Sequence, residues 1–366
     1  MATPTLTTSK NNVVCGRQIA LAAAFLLPAA KLLEAPSLLA KYAAGDLLLP
    51  ALLHFILQAA LLFALLYAAS RSEKTLFERL HLRFGRWSAV FYAFYALYFL
   101  FAVILPLLDL EKFTYAAFFD TSPTIFSFAF FFLFSAFLCT KGLKTLGRAA
   151  DLCVFLYLIP FLALIGMAFS AADFSHLLPL FGRKFGDTMY AFKYTTPHFS
   201  DTVLLLPLLG NLRYKKGDGA KIIGGYAVGA AGTLLFLATF FSIYSSIAPR
   251  EHYAFSKIAE YFPALDVIGR VDLLFVYMLT IVLLFFTAMP LQYTTQLICH
   301  SFQVKKSILV SAILNVGALV FLLFANRHYN AIYSLIGGKL SIVFWLIADM
   351  LPLFFLFLPK KEKIRA

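Results

Sequence analysis

The stretch Pro28-Ala29-Ala30-Lys31-Leu32-Leu33-Glu34-Ala35-Pro36 lies in the middle of the first long apolar segment, where an ordinary membrane helix carries only residues such as Leu and Ala. An ionisable side chain at bilayer depth is costly, so it persists mainly where it faces a cavity, a partner or a solute path. The two prolines each remove a backbone donor, which a spanning segment tolerates only where the freed carbonyls face protein, water or ligand. The segment is therefore expected to be a broken span beside a solute site.

The rest of the chain supports a membrane setting. Its 366 residues are 61% hydrophobic, 17% aromatic and only 13% charged, with a mean hydropathy of +0.84, outside the range of soluble domains. The formal net charge of +13 does not point to nucleic acid, because the basic residues are neither clustered on one face nor interleaved with stacking aromatics. Cys15, Cys139, Cys153 and Cys299 show no CxxC spacing and read as small core residues. No HExxH, P-loop, GxSxG or paired-carboxylate cleft is present. Neither an enzyme, a cofactor nor a metal site is expected.

Ten stretches are long enough to span: about 17–40, 47–70, 87–108, 122–140, 149–171, 189–212, 220–247, 271–299, 307–325 and 332–358. An even number puts both termini on one side. Of the 31 Lys and Arg, twenty fall on the termini and the connectors of that side and eight on the opposite side. By the retention of Lys and Arg in the cytoplasm, both termini are expected there. Lys31, Lys193 and Lys339 fall in or near spans. The first apolar stretch, charged at its centre, does not read as a cleavable signal peptide. Ser72 to Arg86 is expected to form an amphipathic cytoplasmic surface helix, and Arg250 to Asp272 a short helical lid on the outer side.

Span six reads Tyr190-Ala-Phe-Lys193-Tyr-Thr-Thr-Pro197-His-Phe-Ser200-Asp201-Thr-Val-Leu-Leu-Leu-Pro207. Like span one it holds a lysine, an acid and two prolines, and each would be the first helix of a five-helix half. Interrupted segments in corresponding positions of two halves point to a binding site at the membrane midplane. The fold expected is an all-α integral membrane domain of ten helices in a 5+5 inverted repeat, residues 13–172 and 185–358, with helices 1 and 6 discontinuous.

If span one breaks at Pro28 to Lys31, a second half-helix starts near Leu32 and directs its N-terminal amides into the protein, suited to the carboxylate of a zwitterionic amino acid. Glu34 would lie in its first turn. Lys31 is then either a counter-ion for that carboxylate, an ammonium where other transporters bind a metal cation, or half of a structural pair with Glu34 or Asp201. Ser200 and Asp201 either cap the inner half of span six or recognise a substrate ammonium or carry a proton. Lys193 is expected to snorkel to the outer interface. Tyr92, Tyr95 and Tyr98 form a helical stripe that lines a cavity or fills the core. His54, Gln58, Gln292 and Gln296 read as interhelical hydrogen-bonding groups, and Gly225, Gly229 and Gly232 as close-packing positions. Asp272 and Asp349 could handle protons or serve structure.

Arg17-Gln18 before span one, Pro36 followed by Gly45-Asp46, Leu177-Leu178-Pro179 after span five, and Asp201 six residues before Pro207 carry a resemblance. So do Tyr261-Phe262-Pro263 and Ile268-Gly269-Arg270-Val271-Asp272 before span eight. Across nearly the whole chain the sequence resembles the endospore germination permeases, the B subunits of nutrient germinant receptors, within the amino acid–polyamine–organocation superfamily. The resemblance implies a LeuT-like fold, a germinant site between helices 1 and 6, and A-type and C-type partner subunits in a spore inner membrane. Where the family tends to have a glycine-containing unwound stretch, this chain has Ala29, Ala30 and Lys31. The function expected is binding of an amino acid or similar germinant by Ala29, Ala30, Lys31, Glu34, Tyr95, Ser200 and Asp201, with signalling to the partners. The alternative is a proton-coupled amino acid transporter.

Overall fold

The computed structural model describes residues 13–118, 124–179, 181–259, 288–302, 304, 307–336 and 338–358. Among these there are helices and no strands, only an isolated bridge between Val14 and Leu212. In chain order the helices are α1 (Gly16–Ala30), α2 (Ala35–Ala43), α3 (Leu48–Ser70), α4 (Leu76–Phe84) and α5 (Ser88–Phe118). They continue with α6 (Thr124–Cys139), α7 (Leu143–Ala168), α8 (Phe185–Thr195), α9 (Asp201–Gly210), α10 (Asp218–Tyr244) and α11 (Ala254–Ala259). The last four are α12 (288–302), α13 (Ser307–Arg327), α14 (Tyr329–Ile336) and α15 (Lys339–Met350). Among the described residues five segments are long and apolar enough to cross a membrane, and the bent pair of α1 with the helix after it counts as a sixth. The protein is an integral membrane protein.

The first span is broken as expected, but three residues later than the prolines indicated. Pro28 has no N–H to offer the carbonyl four residues back, and the helix absorbs this by widening to a π turn over Ala22–Leu26, in which Leu27 N–H bonds Ala22 O. The chain then stays helical through Ala30, unwinds over 31–34, and resumes at Ala35 with a bend of 65°. Pro36 sits in the first turn of α2, where no amide partner is required.

Helix α10 seats this distorted turn. A Cβ on Gly225 would lie 2.3 Å from the Ala20 carbonyl oxygen, and one on Gly229 2.6 Å from that of Ala23 and 2.9 Å from the Pro28 ring, so only glycine allows the approach. Gly232 differs, since a Cβ there would make ordinary contact with Phe161.

The amphipathic helix before span three is α4, started by a reciprocal cap in which Thr75 Oγ1 accepts from Glu78 N at 3.2 Å and Glu78 Oε2 from Thr75 N at 2.9 Å. Its apolar face is covered by protein: Leu76, Phe77 and Leu80 are buried. Arg79, buried between them, donates to the carbonyls of Ala68 (2.7 Å) and Leu358 (3.1 Å). The stretch expected to form an outer lid contains the helix α11, while its residues 260–272, including Asp272 and the Tyr261 and Ile268 motifs, lie outside the described residues.

Candidate functional site

A second interruption lies in the sixth expected span. Helix α8 ends at Thr195, a 3-10 turn covers Thr196–His198, and α9 begins at Asp201. The two interruptions meet in the core. Lys31, at 2% exposure, forms a hydrogen-bonded ion pair with Asp201, at 1%. Lys31 Nζ also donates to Leu27 O at 3.2 Å and stands 5.4 Å from the centre of the Phe199 ring. The second carboxylate oxygen of Asp201 accepts from the Tyr226 hydroxyl at 3.0 Å. A charge pair removed from water persists only when its remaining lone pairs and protons are satisfied in this way.

Of the two structural partners open to Lys31, the fold selects Asp201. Glu34 is turned away: it occupies the N-cap of α2 and its Oε2 meets His252 Nδ1 at 3.1 Å. Ala29 and Ala30 form the last turn of α1 beside the ammonium, Ala29 fully buried. Tyr95 is buried and donates to Ala348 O at 2.9 Å, tying α5 to α15. The tyrosine stripe belongs to the core, with Tyr92 donating to Phe77 O at 3.3 Å. Lys193, half-buried, keeps its Nζ 5.7 Å from the Tyr194 ring centre.

Neither Ser200 nor Asp201 caps α9 by accepting a backbone N–H. Ser200 Oγ instead donates towards Thr196 O at 3.3 Å and Asp349 Oδ2 at 3.2 Å. The capping group comes from α3: Gln58 Oε1 accepts Thr202 N–H at 2.9 Å, and Gln58 O accepts the Thr202 hydroxyl at 3.0 Å. With its oxygen committed, the Gln58 amide points Nε2 at Asp349 Oδ2, 3.0 Å away. One turn earlier His54 lies stacked between Phe192 and Phe199, 3.9 and 4.6 Å between centroids, and contacts Phe192 O at 2.9 Å. The expected interhelical role of His54 and Gln58 is thus met, whereas Gln292 and Gln296 donate to Lys141 O in the connector between α6 and α7 rather than to another helix.

Sequence reasoning missed Tyr226, His252 and the amides of α11. Ala254 N–H donates to Leu33 O and Phe255 N–H to Leu32 O, both at 3.1 Å, filling carbonyls that the first break exposes. The short helix α11 therefore covers the break. A cavity of about 320 Å³ is lined by Pro207, Asn211, Lys141, Tyr293 and Gln296, among others. It begins six residues past Asp201, roughly 9 Å along α9 at the usual helical rise.

Solved structures share this architecture. A mutant of the Eremococcus coleocola manganese transporter aligns with a TM-score of 0.54 at 12% identity over 92% of this chain and 77% of the other. The same transporter bound to an aromatic bis-isothiourea compound gives 0.51 at 12% identity, over 92% and 78%. These likenesses show a transporter fold. No curated protein matches the sequence. The family model described as spore germination protein, a spore permease rather than an enzyme family, matches residues 19–330. That match takes in both broken spans and most of the chain, which thus belongs to the spore germination permease family.

Proposed function

We propose that this chain is the B-type membrane subunit of a germinant receptor. It binds a small zwitterionic nutrient, an amino acid or a close analogue, where the two broken spans meet, and it signals to A-type and C-type partners. The observation that carries this reading is the buried Lys31–Asp201 pair joining the two breaks. Its charges are those that a zwitterion needs: an ammonium for the ligand carboxylate and a carboxylate for the ligand ammonium. The Ala29 and Ala30 turn and Ser200 border the same point, while Glu34 and Tyr95 act at its edges, on the outer cover and on α15.

In this reading the pair occupies its own site. A ligand must open it, so the apparent affinity is reduced by the fraction of chains in which the pair is closed. The same opening supplies the differential affinity for two states that signalling requires. The proposed frame is ten helices in a 5+5 inverted repeat with both termini in the cytoplasm. The paired interruptions of α1–α2 and α8–α9 support it, as does the distribution of Lys and Arg.

The rival reading, a proton-coupled amino acid transporter, draws on the two buried acids Asp201 and Asp349. Uptake of labelled amino acids into proteoliposomes separates the two. The receptor reading expects ligand-induced thermal stabilisation, lost in Lys31→Ala, without accumulation. Accumulation driven by a pH gradient would overturn it, and co-purification with two partner subunits would support it.

A further inference from the structure

We propose that Asp349 is a proton-binding site, a buried carboxyl that takes one proton from water and returns it, and thereby resets the hydrogen bonds that hold the start of α9. This goes beyond the ligand-site reading, because it needs no ligand.

The geometry is that of a carboxyl without a counter-ion. Asp349 is 1% exposed, and among the described residues no Lys, Arg or His forms an ion pair with it. The nearby ammonium of Lys31 is committed to Asp201. Both donors that reach Asp349, Gln58 Nε2 at 3.0 Å and Ser200 Oγ at 3.2 Å, meet Oδ2. Oδ1 is buried with no hydrogen-bond partner among the described residues. An uncompensated charge in such surroundings is expensive, and a bare carboxylate oxygen there is a place for a proton. Among the described residues, the titratable groups that interact electrostatically with Asp349 include Asp201 on α9, Tyr95 and Tyr98 on α5, and Tyr226 on α10. Among the described residues the fully buried Tyr98 hydroxyl has no hydrogen-bond partner of good geometry either.

The bond that forms is O–H at Oδ1, and the charge on Asp349 goes from −1 to zero. Hydrogen bonds to a charged acceptor are roughly twice as strong as neutral ones. With Asp349 ionised, Ser200 and Gln58 are therefore both drawn to Oδ2. With it neutral, the Ser200 hydroxyl keeps its proton and turns to donate its hydrogen bond to Thr196 O, 3.3 Å away. Gln58 carries the change to Thr202 N–H, and Asp201, the neighbouring residue, carries it to Lys31. A proton at Asp349 thus acts on the same break that the ion pair joins.

The test is an infrared pH titration of the full chain in lipid nanodiscs. The expected result is a protonated-carboxyl C=O band that disappears as pH rises, is lost in Asp349→Asn and is kept in Asp201→Asn. A wild-type band absent at every pH, unchanged in Asp349→Asn, or lost in Asp201→Asn instead would overturn the proposal. Should Asp349→Asn fail to fold, Gln58→Leu decides: removal of the donor that stays on Oδ2 in the neutral state is expected to shift the band to higher wavenumber, and an unmoved band contradicts the assignment. No ligand enters the experiment, so its failure leaves the ligand-site reading standing.

Discussion

The two breaks solve one problem by different means. Where α1 gives way to α2, the freed carbonyls of Leu32 and Leu33 are filled from outside by the backbone amides of α11. Where α8 gives way to α9, the exposed amide of Thr202 is filled from inside by a side chain, Gln58 of α3, which is itself fixed by Asp349 of α15. A helix of six residues covers the first break, held to the bundle by the buried Phe255 and Ile258. The second can change only if the core rearranges. The first is built as a cover and the second as a hinge point, and the Lys31–Asp201 pair forces them to act together.

Substitutions can break this contrast in order of effect. Asp201→Ala strands the Lys31 ammonium in the core, and denaturant unfolding in micelles is expected to show a loss of about 3–5 kcal/mol. Gln58→Leu unseats the second break, leaving Thr202 N–H and Asp349 short of partners, for a loss of about 1–3 kcal/mol. A Gln58→Leu variant as stable as wild type would mean that α9 holds its own start. Hydrogen exchange sharpens the comparison without a mutation. The Thr202 amide is expected to exchange more slowly than those of Ala254 and Phe255, because local opening of a short outer helix exposes the latter pair. Equal rates would remove the distinction between cover and hinge. The smallest effect is expected from Glu34→Gln, whose partner His252 is 63% exposed, at about 0–1 kcal/mol.

Much of this pairing was legible in the sequence. Pro28, Lys31, Glu34 and Pro36, echoed by Lys193, Pro197, Asp201 and Pro207, marked both interruptions, because charge and missing amides are conspicuous against an apolar background. The position of the first break was less legible. A proline states that a hydrogen bond is missing, but whether the helix breaks or widens into a π turn depends on what packs there, and here Gly225 and Gly229 of α10 fit the widened turn. Which polar groups meet was hidden altogether. Gln58 and Thr202 are 144 residues apart, and helical periodicity describes a face of one span without saying which other span it touches. The stretch Arg250 to Asp272 was expected to form a helical lid, but which carbonyls its amides fill left no signal, since backbone amides carry no sequence identity.

The central claim is that Lys31 and Asp201 act as one unit joining the breaks, and a double-mutant cycle on the stability of the full chain tests it most directly. Lys31→Met and Asp201→Leu are each expected to cost about 3–5 kcal/mol. The double variant is expected to recover most of that loss, because an apolar pair of similar volume leaves no charge unpaired. Losses that simply add would contradict the account.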